Sequence, residues 1–185
     1  MNKFLIFTSL LFMTTTTQAK PTLEYNFGES DCGLCDWFVV LDGVMGGRSK
    51  AEFEQTENSA VLSGTISLDN NGGFASIRTP FSGFDLSGFK QVTIRYRSTG
   101  QQFAMSLSNY KRFYKPKYKQ GLPNTNNEWS TLTLKLDEFY KVRLGTKLEG
   151  APSQEDLAEV IRLGLISDEK KASAFQLELD FIRFE

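Results

Sequence analysis

Apolar and polar residues alternate with a period of two over long stretches of this chain. Val92, Ile94 and Tyr96 alternate with Thr93, Arg95 and Arg97, and Phe103, Met105 and Leu107 alternate with Ala104, Ser106 and Ser108. The rhythm returns in Leu132, Leu134 and Leu136 against Thr131, Thr133 and Lys135. It returns again in Phe175, Leu177, Leu179 and Phe181 against Gln176, Glu178 and Asp180. Successive side chains of a strand point to opposite faces, so each segment reads as a strand with one face in a core. Less regular strands are expected at 23–27, 37–41, 50–54, 61–68, 74–79 and 162–167, bounded by clusters of Gly, Asn, Asp, Ser and Pro. One short helix is expected after Pro152. Ser153 is placed to cap it, Glu155 and Asp156 suit its positive end, and Leu157, Val160 and Ile161 share one face. Many short strands joined by turns, with a single helix, predict an all-β sandwich or barrel.

The first 19 residues break this pattern. Lys3, the apolar run from Phe4 to Met13 and the small-x-small triplet Thr17-Gln18-Ala19 have the order of an export signal, with cleavage expected after Ala19. Residues 20–185 then form one domain in a periplasmic or extracellular compartment. The apolar run falls short of the roughly 20 residues that a membrane-spanning helix needs, and no later stretch is as apolar, so no membrane span is expected after cleavage.

Charge and composition narrow the function. The chain has 21 Lys and Arg against 22 Asp and Glu, a formal charge of -1. A nucleic-acid binder draws its affinity from a basic surface, and this balance gives no reason to expect one. Histidine is absent. That removes the usual general base, the Ser–His and Cys–His nucleophile pairs and the commonest zinc ligand, and neither a metal nor a cofactor is expected. Cys32 and Cys35 are candidates for a local disulfide in an exported chain. A thioredoxin-like redox pair is the alternative, but such a pair opens a helix, whereas Trp37 to Leu41 reads as a strand.

Three blocks carry candidate chemistry. Asp42-Gly43-Val44-Met45-Gly46-Gly47-Arg48-Ser49 follows a strand and reads as a tight turn whose Asp42 binds local amides. It lacks the Gly-Lys-Ser/Thr of a phosphate-binding loop. Leu68-Asp69-Asn70-Asn71-Gly72-Gly73-Phe74 joins two apolar strands as a hairpin connection. Between Tyr110 and Lys119, five cations and four aromatic rings interleave. There, Tyr110, Lys111, Arg112, Tyr114 and Tyr118 are candidates to stack on rings and meet anionic groups, or else they form a solvated loop.

The two glycine-rich blocks, together with Ser63 to Arg78, Trp129, Phe139, Leu163 to Asp168 and Phe175 to Ile182, resemble the complex I intermediate-associated protein 30 family. The resemblance runs from about Trp37 to Ile182. It implies a galactose-binding-like jelly-roll sandwich, the architecture of many carbohydrate-binding modules. It also implies a non-catalytic role, because the family's mitochondrial members are assembly chaperones for respiratory complex I. By the same resemblance Asp42, Arg48, Asn71 and Arg78 belong to the shared surface or framework and are candidate binding residues, with Gly46, Gly47, Gly72 and Gly73 as structural glycines. The expected partner is a protein or an envelope glycan. A glycan-active enzyme is the class alternative, because a carboxylate pair among so many acids is not visible in sequence.

Overall fold

A computed structural model describes residues 22–28 and 37–185 of the chain. The expected export signal and the candidate Cys32–Cys35 disulfide lie outside the described residues. The strands are β1 (Leu23–Asn26), β2 (Phe38–Leu41), β3 (Lys50–Gln55), β4 (Ala60–Ile66), β5 (Ala75–Arg78), β6 (Gln91–Thr99) and β7 (Phe103–Ser108). They continue with β8 (Lys117–Leu122), β9 (Ser130–Lys135), β10 (Tyr140–Arg143), β11 (Thr146–Lys147), β12 (Arg162–Ser167) and β13 (Ser173–Phe184). The helix α1 (Gln154–Ala158) precedes β12. Ser153 and Asp156 cap it reciprocally, each side chain accepting from the other's backbone N–H.

Two antiparallel sheets form the sandwich. The smaller runs β3-β4-β13-β6-β9, with β1 also paired to β13; the larger runs β11-β10-β8-β7-β12-β5-β2. The alternating positions of both sheets meet in one core, which includes Leu62, Ile77, Ile94, Phe103, Met105, Leu107, Leu163, Leu165, Leu177 and Phe184. Phe103 of one sheet and Phe175 of the other meet edge to face at 5.8 Å.

Two expectations change. The register of β13 against β6 shifts between Leu179 and Phe181, a bulge at Asp180. Past it the alternation reverses, so that Ile182 and Phe184 are buried while Phe181 turns outward beneath Arg183. The second change concerns the basic-aromatic block. Its last three residues begin β8, so Tyr118 is buried in the core and is removed from the surface binding group. β8, β10 and β11 were the strands that alternation did not reveal.

Candidate functional site

The two glycine-rich blocks meet at one carboxylate. Asp42 is 1% exposed. Its Oδ1 accepts from the Ser49 N–H at 3.1 Å; its Oδ2 accepts from Ser49 Oγ at 2.6 Å, the Gly73 N–H at 2.7 Å and the Phe74 N–H at 3.3 Å. Burial pushes its pKa up, but the donors from Ser49, Gly73 and Phe74 outweigh it and hold the carboxyl below its ordinary value. A Cβ on Gly47 would stand 2.3 Å from Asp42 Cγ, and one on Gly72 would stand 2.6 Å from Oδ2. These two glycines make room for the carboxylate, whereas Gly46 (φ +84°) and Gly73 (φ +127°) supply backbone that other residues resist. Asn70 also donates to the Gly46 carbonyl at 2.9 Å. Asp42 is therefore internal framework. Arg48 is exposed and lies 3.8 Å from Asp69, and Asn71 is exposed with φ +60°.

The other candidate Arg leads to a different place. The pairings Phe38↔Arg78, Gly164↔Arg78, Ser106↔Gly164, Lys119↔Ser106 and Tyr140↔Lys119 put one row of side chains across the outer face of the large sheet. Residues directly opposite in an antiparallel pair share a face. The two central strands contribute mostly small residues to it, Ala104, Ser106 and Ser108 from β7 and Gly164 from β12, with the larger Ile166 opposite Ala104. The strands on either side contribute Arg78 from β5 and Lys117 and Lys119 from β8, while Arg162 enters from the end of β12. A floor of small residues between rows of long ones makes a trough. Three strand spacings of about 4.8 Å separate β5 from β8, or about 14 Å.

The trough is sheltered. Ala104 and Ser106 on its floor and Lys119 on its wall are buried. A Cβ on Gly164 would lie 3.0 Å from Ser106 Oγ and 3.3 Å from Arg78 Cγ, so the stem of Arg78 lies across the glycine. The Arg162 guanidinium stacks 3.3 Å above the Phe81 ring and 5.3 Å from Phe38, two rings that are each about 40% exposed. Lys119 pairs with Asp168, whose other oxygen accepts from the Tyr140 hydroxyl at 3.4 Å. Burial lowers the pKa of Lys117 to about 8, with Arg78 and Lys119 adding repulsion. Burial likewise depresses Arg78, to which Arg162 adds, and Arg162 itself.

The basic-aromatic loop borders this face. Lys111 lies over the Phe81 ring, 5.7 Å from its centre, and the Tyr114 carbonyl accepts from Arg143 Nε at 3.2 Å. Arg112 donates to the Tyr114 hydroxyl at 2.9 Å, and Lys115 lies over Tyr110. Of the residues singled out in sequence, Arg78 lies in the trough and Lys111 at its rim. Lys117 and Lys119, counted among the cations of the basic-aromatic block, lie on β8 rather than in a loop, and Arg162, Phe38, Phe81, Tyr140 and Asp168 were missed. The signal was present for Arg162 and Gly164, which alternate with core residues Leu163 and Leu165, but only the strand order brings them beside Arg78 and Ser106.

The outer face of the small sheet is built differently. Arg95 pairs with Asp180, and Arg97 with Glu178, which also accepts from Ser59 Oγ at 2.7 Å. Both guanidiniums lie over Trp129, at 4.8 and 5.0 Å, and the ring is 37% exposed.

Comparison with known proteins agrees with this architecture. A family 11 carbohydrate-binding module of a Clostridium thermocellum cellulosomal cellulase superposes with a TM-score of 0.60 at 15% identity, over 90% of this chain and 95% of the module. A structure of the family 11 module from the same organism, bound to a β-1,3-1,4-mixed-linked tetrasaccharide, gives 0.58 at 16% identity, over 87% and 94%. An agarase matches at 0.59 and 12% identity, over 89% of this chain but only 24% of its own. Such identities show a shared fold, the galactose-binding-like jelly roll. Among curated proteins none matches the chain. The sequence model of complex I intermediate-associated protein 30 matches residues 25–179, nearly all of the described fold, and the chain belongs to that family.

Proposed function

We propose that this protein is a non-catalytic module that holds a glycan in the trough of the large sheet. The observation that carries this reading is the trough itself: a floor of small side chains flanked by hydrogen-bond donors, with the rings of Phe38, Phe81 and Tyr140 along it. Sugar binding needs donors for hydroxyls and apolar rings for the faces of the pyranose. A pair of carboxylates flanking a glycosidic bond is the requirement for hydrolysis. Asp168 is the carboxylate that the described residues place here, and it is engaged by Lys119 and Tyr140. The fold shared with carbohydrate-binding modules supports the same reading.

Retention of the protein in native gels cast with polysaccharides tests the proposal. Ser106→Phe, which fills the floor, should abolish retention, whereas Thr133→Phe on the outer face of the small sheet should leave it unchanged. A trough-filled variant that is folded and still retained would overturn the site. Export is part of the proposal, and the intact mass of the mature protein should begin at Lys20.

A protein partner is the second reading, favoured by Phe113, which is 74% exposed at the tip of the basic-aromatic loop. Phe113→Ser separates the two: it should spare glycan retention and weaken only a protein complex.

A further inference from the structure

We propose that the trough is built for an acidic polysaccharide, whose carboxylate or sulfate groups are met by Arg78, Lys117 and Arg162. This inference rests on the glycan-binding reading above and names its ligand class.

The same molecule supplies the comparison. On the outer face of the small sheet, Arg95, Arg97 and Arg183 each face a carboxylate, from Asp180, Glu178 and Glu24 respectively. In the trough four cations converge from three strands. Among the described residues, Lys119 alone of the four has an ion-pair partner. Arg78 donates its Nε only to the neutral Ser76 hydroxyl, at 3.1 Å, and the buried Arg162 Nε has no partner at all. Like charges brought together in a half-buried site repel one another and lose solvation. A surface with no ligand gains nothing by crowding them, whereas Arg95, Arg97 and Arg183 on the small sheet are each matched by a carboxylate.

The geometry also separates a sugar from a bare anion. Arginine offers planar, bidentate donors suited to carboxylate and sulfate. Between the arginines lie Gly164 and Ser106, small residues over which the stem of Arg78 runs, and beside them Phe38, Phe81 and Tyr140 add aromatic surface. A chain of sugars with regularly spaced anionic groups meets both requirements. The protein as a whole carries a formal charge of -1, so this attraction is local and depends on the trough.

Calorimetric titration of the exported protein with polygalacturonate and with heparin tests the inference and separates carboxylate from sulfate. The neutral probes are carboxyl-reduced polygalacturonate and mixed-linkage β-glucan, and single-stranded DNA serves as an anion without the sugar pattern. At least one acidic polysaccharide should bind, and its affinity should fall about tenfold or more between about 50 and 300 mM salt. Lys117→Gln and Arg162→Gln should each weaken it about tenfold with unchanged circular dichroism, while Lys50→Gln, on the other sheet, should have no effect. Affinity should also decline as pH rises above about 8, where Lys117 discharges. Arg78 and Arg162 stay charged there, Lys119 faces Asp168 in the same site, and burial beside Asp168 pushes Tyr140 up. Lys111 and Lys147 lie at the rim, each over an aromatic ring.

If neutral glucan or the reduced polymer binds as tightly as its acidic counterpart, the inference fails while the glycan reading stands. If DNA binds as tightly and through the same residues, the trough recognises charge alone and the inference fails. Binding to no polysaccharide of either kind overturns both.

Discussion

Replacing Lys117 with methionine keeps most of the stem's length and removes its charge. The folded chain holds this ammonium at a depressed pKa of about 8, against 10.5 for the free group, because of burial and then the nearby Arg78 and Lys119. At 1.36 kcal/mol per unit, that difference corresponds to about 3.4 kcal/mol of destabilisation in the charged form. The side chain is only half-buried and solvent screens part of this, so about 1–2 kcal/mol is the expected gain for Lys117→Met at pH 7. For a domain of this size the gain raises Tm by about 2–8 °C. Below pH 8 both folded and unfolded chains hold the proton, and the whole cost is present. Between pH 8 and about 10.4 the unfolded chain keeps a proton that the folded chain has released, so the parent gains stability as pH rises. The advantage of the variant should therefore shrink between pH 7 and pH 10. Thermal melts of both proteins at the two pH values measure it. A variant less stable than the parent at pH 7, or an advantage that does not change with pH, would refute the reasoning. The same substitution should weaken acidic-glycan binding, so stability and binding would move in opposite directions.

The glycine framework gives two further expectations. Gly47→Ala and Gly72→Ala should each cost about 2–4 kcal/mol in urea melts, since the added Cβ meets the buried Asp42 carboxylate. Gly43→Ala, whose Cβ meets open space, should stay within about 0.5 kcal/mol. Asp42 stabilises the fold above its unfolded pKa of about 3.9, and this contribution is lost as pH falls through its lower folded value. Asp42→Asn should therefore cost stability at neutral pH and flatten the acid limb of the stability profile; an unchanged acid limb would show that the carboxylate is not the link between the two blocks.

Much of the fold was legible because alternation with a period of two needs no tertiary information. Arg162–Ser167 matches its expected span, and the long strands carrying Ile94, Met105 and Leu177 bury the faces their patterns assign. The helix was legible through Ser153 and Asp156, whose capping is local chemistry. The reversal after Asp180 was not, because a bulge adds one residue to a strand without leaving a gap in the apolar pattern. β8 was hidden because Lys117, Tyr118 and Lys119 read equally well as a charged loop. Which outcome holds depends on Tyr118 finding the core, and that requires β7 and β10 on either side.

The trough was illegible for a related reason. Its residues come from segments as distant as Phe38, Arg78, Lys117 and Arg162, and no short motif contains two strands of it. The motifs that identify the family are spent elsewhere. Asp42, Gly47, Gly72 and Gly73 close on one another at the ends of β2 and β5, and the carboxylate they surround is buried with its oxygens occupied. A buried, fully hydrogen-bonded node fixes backbone and reaches no ligand. Membership of the family thus carries the framework of the sandwich, while in the proposed reading ligand choice rests on the outward positions of the large sheet. These can change from cation to neutral residue without disturbing the core, because in a strand the two faces are chemically independent. Two members of this family with the same glycine blocks should therefore bind different partners whenever the positions equivalent to Arg78, Lys117 and Arg162 differ. Exchanging those three side chains, and leaving the blocks untouched, is the change that should move specificity.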